Sequence, residues 1–290
     1  VGISSVKLNN FEKKFLNNYK PWGVILFSRN IKSFEQTKKL TDEIRKIFND
    51  KNYPILLDQE GGRVDRLNNI ISSKIFTGDF FGKLYLKDKK KFYSYYKIFL
   101  NQTSFLLRKI GININTSPVL DIRRKKSNNI IGDRSFGYNA KLVSIIGKFS
   151  IDTFQKNKIA SVIKHIPGHG LAKIDSHLGT PTVKEKFNKL FSNDFFPFMN
   201  NNSLIAMTAH IIYSDLDPIY TATHSNKVIK IIRNKIKFRN LLITDDISMK
   251  SLKYSLKENT VKSFEAGCNL VLHCNSKPLE MIKVAENSPI

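Results

Sequence analysis

One stretch gathers an unusual set of reactive side chains: Lys164-His165-Ile166-Pro167-Gly168-His169-Gly170-Leu171-Ala172-Lys173-Ile174-Asp175-Ser176-His177. It holds three of the chain's six histidines, with proline and glycine marking tight turns between them. Asp175 and His177 make a candidate dyad. The carboxylate would orient the imidazole and raise its pKa, as a general acid working near neutrality requires. Two other readings compete with the dyad. One is a metal site built from His165, His169, His177 and Asp175; the other is a loop whose histidines serve only hydrogen bonding. Pattern alone leaves all three open.

A second candidate lies in Leu241-Leu242-Ile243-Thr244-Asp245-Asp246-Ile247-Ser248-Met249. A buried apolar strand would deliver Asp245 at its end, where a carboxylate can attack a sugar anomeric carbon or ligate a metal. The plain structural alternative is a helix N-cap, a position that also favours Asp. Asp58-Gln59-Glu60-Gly61-Gly62-Arg63-Val64-Asp65-Arg66 and Ile131-Gly132-Asp133-Arg134-Ser135-Phe136-Gly137 add paired charges beside glycines. Carboxylates suit sugar hydroxyls, and arginines suit carbonyl or carboxylate oxygens. Each segment alone could equally be a surface salt-bridge loop.

These groups follow a common element. Strand-like runs occupy 23–27, 54–57, 112–115, 159–163, 204–207, 241–243 and 270–272, and helix-like stretches such as 33–49, 90–109, 140–157, 225–236 and 257–266 lie between them. Such alternation predicts a parallel sheet with crossover helices. With the first residues counted as one more short strand there are about eight, so the expected fold is α/β, a (β/α)8 TIM-type barrel. No linker-like composition or internal repeat divides residues 1–290, which are read as a single catalytic domain. The C-terminal ends of barrel strands open on one face. Ser28-Arg29-Asn30, Asp58-Gln59-Glu60, Ser117-Pro118 through Asp121, Lys164-His165, Thr208-Ala209-His210, Thr244-Asp245-Asp246 and His273-Cys274-Asn275 would therefore converge there. Strand ends generally meet polar loops, but that accounts poorly for this density of Asp, His, Lys and Arg.

In order along the chain, GVILFSRN, DQEGGRV, SPVLDI, IGDRSFG, KHIPGHG followed by DSH, MTAHIIY and ITDDISM span about residues 23 to 249. This set resembles the bacterial β-N-acetylglucosaminidases of glycoside hydrolase family 3. The resemblance implies a one-domain barrel and a retaining double displacement, with Asp245 as nucleophile, His177 as acid/base and Asp175 as its partner on a mobile loop. It places Asp58, Arg66, Arg134, Lys164 and His165 at sugar-binding positions. It also implies peptidoglycan-recycling muropeptides as substrates and no metal or other cofactor. Ile166 stands where the family commonly has phenylalanine, and Thr244 where serine is frequent; neither change removes a reacting group. The chain lacks an initiator methionine, and the opening of its first strand is read as missing.

Composition bounds the alternatives. The net charge of +24 invites a nucleic-acid or membrane-surface partner. Yet Lys, Asn and Ile abound from end to end, the basic residues are scattered apart from Lys87–Lys91 and Arg123–Lys126, and no nucleic-acid-binding motif is visible. Drift of an AT-rich genome is the simpler account, so neither nucleic acid nor membrane is expected as a partner. No apolar run is long enough to cross a bilayer and no secretory signal is visible. Cys268 and Cys274 match no redox spacing and read as reduced thiols in a cytoplasmic protein. The absence of a second domain favours a monomer. Three rivals stay in play. A metal-dependent hydrolase would use His165, His169, His177 and Asp245, and a basic nucleic-acid-binding protein would show salt-dependent affinity. A phosphorylase would act on the same sugar.

Overall fold

The apolar runs become strands because β-branched and leucine side chains suit a sheet covered on both faces. A computed structural model describes residues 1–124, 129–174, 176 and 178–289. The strands are β1 (Val24–Leu26), β2 (Ile55–Leu57), β3 (Ile114–Asn115), β4 (Ala160–Ile166), β5 (Thr182–Val183), β6 (Ile205–Thr208), β7 (Ile212–Tyr213), β8 (Leu241–Asp246) and β9 (Leu270–Leu272). The helices are α1 (Asn10–Tyr19), α2 (Phe34–Phe48), α3 (Gly78–Lys87), α4 (Lys89–Lys109), α5 (Ala140–Lys156), α6 (Phe187–Ser192), α7 (Asn226–Asn234), α8 (Leu256–Ala266) and α9 (Pro278–Glu286). Helix starts follow capping chemistry: Asn9 with Glu12 and Ser255 with Glu258 form reciprocal capping boxes, and Gly267 closes α8 at φ +111°. No helix among the described residues is long and apolar enough to cross a membrane.

Seven strands form one parallel sheet in the order β1-β2-β3-β4-β6-β8-β9. It is a curled, TIM-like (β/α) sheet. The eighth strand expected from the first residues does not form. Gly2 instead makes a single bridge to Ile25 and donates its N–H to the His273 carbonyl at 2.8 Å, between the two edge strands. Beyond it, side chains take up the main-chain acceptors. Arg29 Nε and Asn30 Nδ2 donate to the Ile3 carbonyl at 2.9 and 3.1 Å, and Asn30 Nδ2 also reaches the Ser5 carbonyl. With those carbonyls engaged, the ladder stops after one residue.

Two hydrophobic layers result. The outer layer joins the sheet to its helices; α5, for example, buries Leu142, Val143, Ile146, Ile151 and Phe154 along one face. The inner layer takes Ile25, Leu56, Ile114, Val162, Ile205, Met207, Ile243 and Leu272, so that every strand of the sheet contributes. Side chains alternate along a strand, so the residue two places after an inner-layer residue faces the same interior at the strand's exit. For Leu56, Val162 and Ile243 those residues are Asp58, Lys164 and Asp245. The ladder between β4 and β6 shifts register between Lys164 and Ile166, a bulge that brings both Lys164 and His165 among charged partners. A small parallel pair, β5 with β7, knits the loop after β4 to the loop after β6.

The loop carrying Arg134 is seated on α3 through two glycines. A Cβ at Gly78 would stand 2.2 Å from the Arg134 carbonyl, and one at Gly82 would stand 1.7 Å from that of Phe136. Gly82→Ala should therefore lose about 1–3 kcal/mol through overpacking. Urea unfolding should show a lower midpoint at unchanged slope; an unchanged midpoint would mean that the 132–137 loop yields freely.

Candidate active site

The loop after β2 owes its shape to Gln59. Its side chain donates to Asp65 Oδ1 and Ser73 Oγ, both at 3.0 Å, and accepts the N–H groups of Arg66 and Leu67 at 2.8 and 3.1 Å. Asn115 on β3 accepts the Gln59 N–H at 3.0 Å and returns a bond to its carbonyl at 2.9 Å. Asp65 is buried and also accepts the Ser73 N–H at 2.6 Å. Two uncharged amides and one carboxylate thus hold the turn, leaving Asp58, Glu60 and Arg66 free to meet other loops.

They meet Lys164. Its ammonium contacts Asp58 Oδ1 and lies 2.6 Å from Glu60 Oε1. Arg134 then takes Glu60 as a fork, Nε to Oε2 at 2.8 Å and Nη2 to Oε1 at 2.7 Å. Arg66 reaches Asp58 Oδ2 at 3.1 Å, and the Thr116 hydroxyl donates to Asp58 Oδ1 at 2.7 Å. Three cations and two carboxylates from three segments, the loop after β2, the 132–137 loop and β4, therefore form one chain. Burial works against the charge on Asp58, but Lys164 and then Arg66 outweigh it and hold its pKa well below the usual carboxylate range. Glu60 is lowered in the same way, against burial, by Arg134 and then Lys164.

A second cluster surrounds Asp121, which is fully buried. It meets His165 Nδ1 at 2.6 Å and accepts the His165 N–H at 3.2 Å and the His169 N–H at 2.6 Å. His165 Nε2 faces Asp245 Oδ2 at 3.9 Å. Asp245 Oδ1 accepts the Asp246 N–H at 2.8 Å. Burial pushes the Asp245 pKa up, but His165 and His210 outweigh it, so the carboxyl sits below its ordinary value. His210 lies under this peptide. Its Nε2 donates to the Asp246 carbonyl at 3.1 Å and its Nδ1 meets Thr223 Oγ1 at 2.7 Å; burial lowers its pKa and favours the neutral ring.

The structure therefore brings together Asp58, Arg66, Arg134, Lys164, His165 and Asp245 at the strands' C-terminal ends. Asp175 and His177 lie outside the described residues. Their neighbour Ser176 is buried, with its hydroxyl 3.4 Å from His169 Nε2 and its carbonyl accepting the Ser251 N–H at 3.1 Å. Among the described residues no group of three His, Cys, Asp or Glu is disposed to hold a metal ion. Both cysteines are free, and burial pushes the Cys268 thiol up to about 12. Sequence reasoning passed over Glu60, Asp121 and His210 as individual site residues. Asp121 carried a signal: a carboxylate inside the apolar run Val119-Leu120-Asp121-Ile122 must find partners if that run is buried. A separate hollow of about 810 Å³ lies between α1, α9 and the β1/β9 edges. It is lined mainly by apolar side chains such as Trp22, Leu270 and Val284, and holds none of the clustered charges above.

Comparison with known proteins gives the family. Residues 2–288 match the glycosyl hydrolase family 3 N terminal domain. The chain is 31% identical over 300 residues to a beta-hexosaminidase of Haemophilus influenzae, covering 100% of this chain and 84% of that protein. It is 32% identical over 284 residues to a beta-hexosaminidase of Hydrogenovibrio crunogenus, covering 95% and 78% respectively. NagZ from Neisseria gonorrhoeae, solved in complex with N-trifluoroacetyl-D-glucosamine, superposes with a TM-score of 0.88 at 29% identity, over 100% of this chain and 84% of that one. The chain belongs to glycosyl hydrolase family 3 and is a glycoside hydrolase. The resemblance seen in the motifs is thereby borne out.

The ion-pair chain has a pH signature. Asp58 and Glu60 ionise more readily in the folded protein than in the unfolded one. Their contribution is fully present above the unfolded carboxylate pKa values, about 4, and is lost as pH falls below them. Glu60→Gln should cost roughly 3–5 kcal/mol at pH 7 by leaving buried cations short of charge. Thermal melts should show the gap to wild type narrowing towards pH 3. A gap that stays constant with pH would mean that the Glu60 charge contributes nothing.

Proposed function

We propose that the chain, acting as one catalytic domain, is a retaining exo-β-N-acetylglucosaminidase. It removes terminal N-acetylglucosamine from peptidoglycan-derived muropeptides, as a cytoplasmic monomer taking part in cell-wall recycling. The relatives named beta-hexosaminidase and the N-acylated glucosamine bound to the gonococcal protein support the choice of sugar. The observation that carries the mechanism is Asp245. This carboxylate is held ionised at the exit of β8, near the Asp58–Lys164–Glu60 layer, with His165 Nε2 at 3.9 Å as its ion-pair contact among the described residues.

In this reading Asp58 and Lys164 hold hydroxyls of the terminal sugar, and His165, Arg66 and Arg134 orient it and its surroundings. Asp245 attacks the anomeric carbon and forms a glycosyl ester while protonated His177, held by Asp175, donates its proton to the departing oxygen. Neutral His177 then takes a proton from water, the hydroxide oxygen bonds to the anomeric carbon, and the ester to Asp245 breaks. Two inversions leave the configuration retained. The pairing of carboxylate with imidazole departs from the common two-carboxylate scheme, but acid/base catalysis needs only a positioned group of suitable pKa. The ordered motif followed by Asp175 and His177 supports their roles.

The first measurement is release of 4-nitrophenol from its β-N-acetylglucosaminide, with and without EDTA and in phosphate, against the matching β-glucoside. Turnover of the acetamido substrate alone, insensitive to chelator and giving the free sugar, is expected. Abolition by EDTA would favour a metal hydrolase, and a sugar phosphate product would favour a phosphorylase. Asp245→Asn should lose nearly all turnover while melting normally, and a slow fluorosugar that keeps the 2-acetamido group should label Asp245 in the wild type. An active enzyme that yields no adduct would point to the substrate's own acetamido group as nucleophile. His177→Ala should impair substrates with poor leaving groups far more than activated aryl glycosides; equal losses would remove it as the proton donor.

A further inference from the structure

Asp121 touches neither Asp245 nor the open mouth, yet it makes four close contacts with the segment that feeds both. Its Oδ1 accepts the His169 N–H at 2.6 Å, the His165 N–H is shared between both oxygens at 3.2 Å, and Oδ2 meets His165 Nδ1 at 2.6 Å. Main-chain N–H groups reach both oxygens and stabilise the ionised, acceptor-only carboxylate, so the proton in the Oδ2–Nδ1 contact is placed on the ring. That conclusion is independent of whether the imidazole is neutral or cationic. In either state Nδ1 keeps its proton, and Nε2 is the only ring nitrogen free to gain or lose one.

Nε2 is also the nitrogen that looks into the site. It stands 3.9 Å from Asp245 Oδ2, beyond hydrogen-bonding distance, and makes no hydrogen bond among the described residues. The same carboxylate holds the His169 main chain, whose ring Nε2 lies 3.4 Å from the Ser176 hydroxyl. Tyr213 fastens the intervening turn by donating to the Gly168 carbonyl at 2.5 Å, and a Cβ at Gly168 would stand 2.7 Å from the Asp194 carbonyl. The turn is clamped from several sides; among the described residues Asp121 is its hydrogen-bonding link to the His165 ring, beside the edge contact of the His169 ring at 5.4 Å.

We infer that Asp121 is a positioning residue: it fixes His165 as the Nδ1–H form and aims an unspent Nε2 at the space beside Asp245, ready for a substrate hydroxyl. The inference rests on the glycosidase reading above. Replacing the carboxylate by an amide would offer Nδ1 either an acceptor or a donor and so release the choice of tautomer. The same reasoning applies wherever a buried carboxylate sets the ring of a working histidine.

The test combines a spectrum with a kinetic cycle. In protein carrying 15N-labelled histidine, His165 of the wild type should show a protonated Nδ1 from pH 5 to 9. Asp121→Asn should introduce signal from the Nε2–H form. On the 4-nitrophenyl N-acetylglucosaminide, Asp121→Asn should lower kcat at least about tenfold. His165→Gln should do the same, and the double variant should be no slower than His165→Gln alone. A wild-type ring protonated only at Nε2 would overturn the inference. So would losses that multiply in the double variant, because Asp121 would then act through the general fold rather than through His165. Inactivity of the wild type would sink the glycosidase reading instead, and full activity of Asp245→Asn would sink the nucleophile assignment. The nitrogen shifts would still decide whether Asp121 sets the tautomer.

Discussion

Lys164 places one ammonium group between Asp58 and Glu60, and the mouth of the sheet is organised around neutralising it. An unpaired charge at that depth would cost several kcal/mol even after relaxation. The compensation comes from segments far apart in sequence: Asp58 and Glu60 after β2, Arg134 on the 132–137 loop, and Lys164 on β4 itself. Each of these carries a charge that the others complete. Moving one loop would strand a charge on another, so the chain of ion pairs fixes the spacing of the strand exits as firmly as the hydrophobic layer beneath it.

The uncharged scaffold makes this possible. Gln59 and Asn115 consume main-chain groups that would otherwise compete for the carboxylates, and the Thr116 hydroxyl adds one donor to Asp58. Glycines at 78 and 82 let the Arg134 loop lie directly on α3. The resulting donors and acceptors are held in place before any ligand arrives, the condition under which fixed charges contribute most to a reaction.

Asp245 differs from the other carboxylates of this layer. Asp58 and Glu60 are spent on direct cation contacts, and Asp121 is filled by two main-chain donors and a ring. Asp245 has one main-chain donor and a histidine nitrogen at 3.9 Å. It is therefore ionised yet keeps lone pairs available, as the nucleophilic role proposed for it requires. Its neighbours are structural by the same reasoning: His210 supports the following peptide, and Asp121 steadies His165.

Much of this was legible in the residues themselves. The seven apolar runs expected as strands all appear in the sheet, because hydrophobic clustering and helix caps act over a few residues and are written locally. The convergence of Asp58, Lys164, His165 and Asp245 followed from the rule that parallel strands share an exit face. The eighth strand did not, since Arg29 and Asn30 compete for the carbonyls of Ile3 and Ser5, and side-chain competition across 25 or more residues leaves no local mark. Nor could the sequence rank the carboxylates. Asp58, Glu60, Asp121 and Asp245 are the same chemical group, distributed over three strand exits. Only the tertiary structure decides which is paired with a cation, which is filled with donors and which is left open, because that depends on groups brought within about 4 Å by folding.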